Sequence, residues 1–573
     1  RQGENDEGIL NSMLKESVTK PTLVTFEGDF VLTIKEEIET KLTEIIKEKY
    51  PEAAIPFPPT EPEKNPAYGD LSSNIAFLLS KFLKKPPEEI AKELAKSITG
   101  VIIEKAEPVR GFVNIWVSKE RLCSLLPEIE EKREGFGRSN FGEQKKVLLE
   151  FVSANPTGPL HIGHGRGAVY GDVLANILSA SGFLVKREYY VNDTGNQIET
   201  LGGSVKHRYL ELFGEKTEFP QGGYCGEYIT DIAKKIQKEE GEGAKEQGLT
   251  YFGKLSSKIL LSEIQRTLQE SSVHFDSFFY ESSLYESGKV EKVLADLSSS
   301  AYKKDGALWL ETSKLSDEKD RVLVREDSRP TYYVADLAYH RDKFERGYDL
   351  LINLWGTDHH GYVERIKSGL KFLGYDPEML NIILYQLVTL RRGKELVSMS
   401  TRKGEFITLD DVVREVGPDA TRFFLLMRKS DAHLEFDLEL AKKESSENPV
   451  YYVQYLHARC SSILREAETR KIPFISVDTV DLSLLSEPEE HRLMAKISLF
   501  PDEIKQAAKF YQPHRIPLYL MELAGIFHNY YHFHRVLSED RELSKARLVL
   551  VNCVKTVVGN GLNLLGISAP EKM

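Results

Sequence analysis

Cysteine is scarce in this chain. Its 573 residues hold four, Cys123, Cys225, Cys460 and Cys553, far apart and with no Cys-x-x-Cys pair. That excludes a disulfide framework, gives no ground for a structural zinc, and points to a reducing compartment, the cytoplasm. Long apolar runs are missing too: none approaches the ~18 residues of a membrane span. The opening residues, Arg1-Gln-Gly-Glu-Asn-Asp-Glu-Gly, lack the apolar centre of a signal peptide, and 1–27 read as a flexible tail. Nor is there a basic excess: 76 Lys and Arg face 88 Asp and Glu, a net charge of −12. A surface for nucleic-acid phosphates normally carries the opposite sign, although a local basic strip can coexist with acidic faces elsewhere.

What remains is ordinary globular material, 41% hydrophobic and 29% charged, too long for one core. Residues 31–50 read as an amphipathic helix stopped by Pro51. Further helices are expected at Leu71–Leu79 and from Pro86-Pro87 into Glu88–Ala95, and Phe112–Val117 alternates like a strand. Residues 28–135 therefore form a small α/β domain. From Val147 strands and helices alternate as in a doubly wound parallel sheet, spanning 136–440. The Lys-, Glu- and Gly-rich stretch from about 200 to 320 reads as inserted helices. Residues 441–573 show helical periodicity alone, an all-α bundle.

The most informative stretch begins at the apolar run Val147–Val152. It continues as Asn155-Pro-Thr-Gly-Pro-Leu-His161-Ile-Gly-His164, with a helix opening near His164 and running through Leu178. A helix that starts where a strand ends points free N–H groups and a positive dipole end into a crevice fit for phosphates. Two imidazoles at that start can donate to phosphate oxygens, and Gly163 leaves room for a base or ribose. The tetrapeptide alone also suits a pair of core histidines or two metal ligands; strand, Pro-rich turn and helix in register favour the nucleotide.

His161-Ile-Gly-His164 resembles the nucleotide-binding motif of class I aminoacyl-tRNA synthetases, and four blocks resemble the arginyl-tRNA synthetase family. They are Glu150 through Asp172; Tyr189-Tyr-Val-Asn-Asp-Thr-Gly-Asn-Gln197; Thr331–His340 with Trp355–Tyr362; and Asn448–Arg459. Pro66–Phe77 echoes that family's N-terminal tRNA-binding domain. The resemblance implies an arginine–tRNA ligase using ATP with Mg2+. Its partners would be L-arginine and tRNA(Arg), the chain would be a cytoplasmic monomer, and residues 441–573 would bind the anticodon.

A guanidinium asks for charge-assisted acceptors with polar or aromatic walls. Glu150 ends a strand, Asn155 lies in the next turn, and Tyr332 and Asp336 share a helix face if Thr331–His340 is helical. Both carboxylates fall inside apolar runs, where an unpaired charge is costly. By resemblance Asp336 and Tyr332 grip the guanidinium, Glu150 adds an acidic contact, and Asn155 holds the amino or carboxyl end. The strand Leu350–Trp355 ends in Gly356-Thr-Asp358-His359-His360-Gly361, where Gly356 permits close approach and Asp358 can accept from ribose hydroxyls. By resemblance this block, His360 included, lines adenosine and the arginine amino group. Adjacent histidines without a third ligand argue against a metal.

The family's second motif, a Lys-Met-Ser-Lys-Ser loop, aligns with Ser398-Met399-Ser400-Thr401-Arg402-Lys403-Gly404. Ser398 and Thr401 replace both motif lysines, yet a cation must meet the phosphates in the transition state. Arg402 holds the matching basic position, with Lys403 and Lys394 as further candidates, while Met399 and Ser400 would meet the nucleotide. In the bundle Tyr451, Tyr452, Tyr455, His457 and Arg459, and His528 through Arg535, interleave rings with bases, a pattern suited to stacking on unpaired nucleotides. Two other readings stay open: another class I synthetase, or a non-catalytic tRNA-binding paralogue.

Overall fold

A computed structural model describes residues 32–53, 58–63, 65–397, 407–472 and 477–573. The expected tail at 1–27 and the 398–404 loop lie outside these residues. Thr33 opens the first described helix, α1 (Ile34–Lys49), with a capping box: its hydroxyl accepts from Glu36 N while the Glu36 carboxylate accepts from Thr33 N. β1 (Thr60–Pro62), β2 (Leu71–Ser73), α2 (Ile75–Leu83), α3 (Pro87–Ala95), β3 (Ile103–Val109) and β4 (Phe112–Val117) follow. The strands form an antiparallel sheet in the order β1-β2-β4-β3. The helix expected over Leu71–Leu79 is thus divided. Leu71–Ser73 pair on both sides with β1 and β4, a gain the open end of a helix cannot match, and the helix begins only at Ile75. Helices α4 (Lys119–Cys123) and α5 (Leu125–Lys132) lead out of this unit.

The central sheet is built from β5 (Lys146–Glu150), β6 (Leu184–Val191), β7 (Ser277–Tyr280), β11 (Leu350–Gly356) and β12 (Leu380–Tyr385). All pairings are parallel, in the order β12-β11-β5-β6-β7. The chain moves outward from β5 through α6 (Ile162–Ala180), β6, α7 (Asn196–Glu211), α8 (Glu227–Glu240) and α9 (Leu249–Glu270) to β7. After α10 (Ser282–Glu286) and α11 (Lys289–Leu297) it makes a small antiparallel sheet, β8 (Ala301–Lys304), β9 (Ala307–Leu310) and β10 (Arg321–Val324). It returns through α12 (Tyr332–Glu345) to lay β11 on the other side of β5, then reaches β12 by α13 (Val363–Phe372). The order reverses between β5 and β11, and crevices form at the carboxyl ends of such a pair. The stretch 200–320 therefore holds more than helices: it contains a strand of the main sheet and a second sheet. β7 has four residues, too few to display an alternation that sequence can register.

β13 (Val388–Arg392), β14 (Glu395–Leu396), α14 (Leu409–Val416), α15 (Pro418–Leu426), β15 (Leu434–Asp437) and α16 (Leu438–Ala441) close this region. Beyond them only helices occur among the described residues: α17 (Pro449–Thr469), α18 (Pro488–Ser498), α19 (Phe500–Lys509), α20 (Arg515–Phe533) and α21 (Arg541–Leu564), with two short 3-10 turns. They pack back on the N-terminal unit through Thr33 Oγ1 to Asp502 Oδ1 (2.9 Å), His491 to Asp70 (3.1 Å) and Asn560 Nδ2 to Arg133 O (2.8 Å). No described helix is long and apolar enough to cross a membrane.

Candidate active site

His161 caps α6 with its own ring. Its Nδ1 accepts from Gly163 N (3.1 Å) and His164 N (3.4 Å), while His164 Nδ1 accepts from His161 N (3.4 Å). This is a capping box made of imidazoles, the rings stacked 3.7 Å apart. A Cβ at Gly163 would sit 2.9 Å from the His161 ring, so a side chain there would dislodge the cap. Because both Nδ1 atoms accept, both protons lie on Nε2, and each ring offers one N–H donor beside the helix's free amides. Burial holds both rings neutral. It lowers His161, and it lowers His164 to about 3, with His161 adding to the shift.

The end of β5 is ionic instead. The buried Glu150 carboxylate pairs with the fully buried ammonium of Lys343 on α12 and accepts from Ser153 Oγ (2.9 Å). Lys343 Nζ also donates to Asn353 Oδ1 (2.8 Å), and Asn353 Nδ2 donates to His340 Nε2 (2.9 Å). His340 Nδ1 returns its proton to Asp336 O (2.8 Å), and burial, then Lys343, lowers the ring to about 3. The Glu150 carboxylate thus already holds a cation of its own, and a guanidinium would meet it only alongside Lys343.

Asp336 differs. It stands one turn after Tyr332 on α12, as the spacing requires, and its carboxylate accepts from the Tyr362 hydroxyl. Burial raises it to about 7, against the Tyr362 bond, and the neighbouring Glu281 and Glu150 push the same way. Glu281, immediately after β7, is buried and accepts from Tyr190 OH (2.8 Å) and Thr194 Oγ1 (2.7 Å). Burial raises its pKa as well. Among the described residues neither acid has a cation as a hydrogen-bond or ion-pair partner. A cleft of about 470 Å³ is lined by Glu281, Tyr285, Tyr332, Arg325 and Arg329, and Asp336 stands one helical turn from Tyr332 without lining it. Chemically, Glu281 gives this cleft a desolvated acid between tyrosines, a setting fit for a cation.

Gly356 ends β11 at the switch, and Asp358 and His360 follow it in a 3-10 turn, both exposed. Asn155 follows β5, its amide donating to Gln197 Oε1 (2.6 Å). Met399, Ser400, Arg402 and Lys403 lie outside the described residues. The chain that follows them rejoins the helix start: Thr408 bridges His161, and Leu409 N donates to Leu160 O (2.8 Å). In the bundle a cleft of about 940 Å³ is lined by Tyr455, Arg459, Arg465, Arg470, Tyr531 and Arg535. The Arg459 guanidinium lies 4.6 Å from the Tyr455 ring and 4.8 Å from that of Tyr531. A local basic, aromatic strip does coexist with the acidic whole.

Sequence reasoning passed over Lys343, Asn353 and Glu281. A lysine inside a helix reads as a solvated charge. The signal available for Glu281 was an acid directly after the apolar Phe278-Phe-Tyr280, at the end of a strand.

Three family descriptions match the chain: an arginyl tRNA synthetase N-terminal domain over 33–117, a class I (R) tRNA synthetase catalytic domain over 128–439, and a DALR anticodon binding domain over 453–573. An arginine–tRNA ligase of Carboxydothermus hydrogenoformans is 49% identical over 521 residues, covering 90% of this chain and 94% of that one. One from Caldanaerobacter subterraneus subsp. tengcongensis is 43% identical over 563 residues, 95% and 100% of the two. The solved arginyl-tRNA synthetase of Thermus thermophilus shares the fold, with a TM-score of 0.74 at 24% identity over 94% of this chain and 100% of that one.

Proposed function

The chain belongs to the arginyl-tRNA synthetase family and is an arginine–tRNA ligase, and from that premise we propose how its residues divide the work. Residues 28–135 and 441–573 engage tRNA, the latter at the anticodon through the Tyr455–Arg459–Tyr531 cleft. Residues 136–440 hold the reaction, with the insertion at about 200–320. The arginine carboxylate attacks the α-phosphorus of ATP, forming arginyl-adenylate and releasing diphosphate; the 3′-terminal ribose hydroxyl of tRNA(Arg) then takes the arginyl group and releases AMP.

Asp336 and Glu281 bind the guanidinium between Tyr332 and Tyr285. The carrying observation is that among the described residues these two acids, Glu281 buried and Asp336 half-buried, have no cation as a hydrogen-bond or ion-pair partner. A bound guanidinium would supply the missing charge through planar, charge-assisted bonds. Glu150, neutralised by Lys343, shapes the floor, while Asn155 and His360 orient the amino and carboxyl end. Gly356 and Asp358 flank the ribose. His161 and His164 donate from Nε2 to phosphate oxygens as negative charge shifts toward the leaving diphosphate, with Gly163 keeping the cap in place. Arg402 and Lys403, beside Met399 and Ser400, take the place of the absent motif lysines. Mg2+ enters with the nucleotide, no structural zinc is invoked, and the enzyme is a cytoplasmic monomer.

The test is arginine-dependent exchange of labelled diphosphate into ATP. Exchange should respond to arginine and not to lysine or cysteine, should require tRNA(Arg), and should weaken as salt rises. Equal exchange with lysine would overturn the assignment of the acid pocket.

A further inference from the structure

Helix α6 carries the imidazole pair at one end, and about two turns beyond His164 it carries a buried acid, Asp172. Asp172 Oδ2 accepts from Arg422 Nη2 (2.6 Å), and Arg422, on α15, is wholly buried. The other donors of that guanidinium go to backbone carbonyls. Nη1 donates to Ser271 O (3.0 Å) and Ser272 O (2.8 Å), just past α9, and Nε donates to Leu565 O (2.7 Å), just past α21. With 22 and 24 residues, α9 and α21 are the longest described helices. Carbonyls at a helix end are left without partners and carry the negative end of the dipole, so a planar cation is a fitting cap. Here one cation caps two helices and pins both to a third. Gly566 adopts φ +64°, and a Cβ there would lie 2.6 Å from Arg422 Nη2. A second tie runs parallel: Asn176 Nδ2, one turn after Asp172, donates to Leu564 O (3.0 Å).

We propose that Arg422 is a positioning residue for adenylate formation: through Asp172 it lets the ends of α9 and α21, one from the insertion and one from the anticodon-binding bundle, set the seat of α6 and hence of His161 and His164. The proposal rests on the phosphate role given to those histidines above. A displacement of the helix start by a fraction of an ångström would misplace two donors at once, without touching any ligand contact directly.

The experiment compares Arg422→Lys, Gly566→Ala and the bundle-core control Leu520→Ala by melting temperature, by KM for tRNA, ATP and arginine, and by exchange kcat at saturating tRNA. Lysine keeps the charge for Asp172 but not the fork for the carbonyls. Arg422→Lys should remain cooperatively folded, with KM values little changed, while kcat falls about 10²-fold. Gly566→Ala should lose kcat in the same direction, and Leu520→Ala should lose stability while keeping kcat. The proposal is overturned if kcat follows melting temperature across all three variants, or if Arg422→Lys raises KM for tRNA and leaves kcat intact. If instead His161→Ala and His164→Asn keep normal exchange while Arg422→Lys does not, the phosphate assignment fails and takes the proposal's route through α6 with it.

Discussion

The start of α6 and the acids on α12 and after β7 present opposite electrostatic settings. At the start of α6 the functional groups are neutral: two stacked imidazoles, each accepting on Nδ1 and held uncharged by burial. On α12 and after β7 they are acids: burial raises Asp336 to about 7, with Glu281 and Glu150 adding to the shift, and burial raises Glu281. A polyphosphate brings its own charge and needs oriented dipoles that cost no reorganisation. A guanidinium brings a single cation and needs counter-charge stripped of water. The internal pair Glu150–Lys343 is a third arrangement, an acid at a strand end that already carries a cation of its own.

The sharpest way to break the contrast is Asp336→Asn. Removing one charged partner of a desolvated cation costs ~2–5 kcal/mol, so KM for arginine should rise strongly while that for ATP stays level. Equal rises in both would mean that the pocket and the phosphate site are not separate. Next in size is His164→Asn, which deletes a donor and half of the capping box: kcat for exchange should fall roughly 10²–10³-fold with arginine KM nearly unmoved. A change confined to arginine KM would reverse the assignment of the two settings. The smallest effect, and the most discriminating, is in pH. If arginine binds the Asp336 carboxylate as proposed, its KM should be flat above pH 7 and climb about tenfold per unit below. Stability runs the other way. The folded pKa, about 7, exceeds the ordinary 3.8 of an unfolded aspartate, so the folded chain holds this proton more tightly in between. Asp336 therefore favours folding as pH falls through 7 and weighs against it above. Exchange kcat at saturating arginine should show no step near the usual histidine value, since both rings are already neutral there. A step near 6.5 would show that an imidazolium acts instead.

The parts of this site legible in the sequence were those where several local rules agree. Strand, Pro/Gly turn and helix announced α6 within a residue or two of its observed start, and the Tyr332–Asp336 spacing announced a shared helix face. What stayed hidden depends on partners far along the chain. Lys343 becomes a buried cation only because Glu150 arrives from β5, and Glu281 enters the pocket only because a four-residue strand joins the sheet edge. Leu71–Ser73 has a helix-compatible pattern and becomes a strand because β1 and β4 flank it. Periodicity reports on a segment's own faces; it is silent on who will pair with it.

The Arg422 junction also bears on how the protein is made. α6 leaves the ribosome early, whereas Leu565, whose carbonyl completes the guanidinium's set of partners, emerges on the order of half a minute later at ordinary elongation rates. Until then the arginine and nucleotide halves can fold with one socket of the clamp empty. A nascent chain that has not yet reached Leu565 would thus lack the last of the carbonyls that Arg422 joins to Asp172, however completely α6 and α12 had folded.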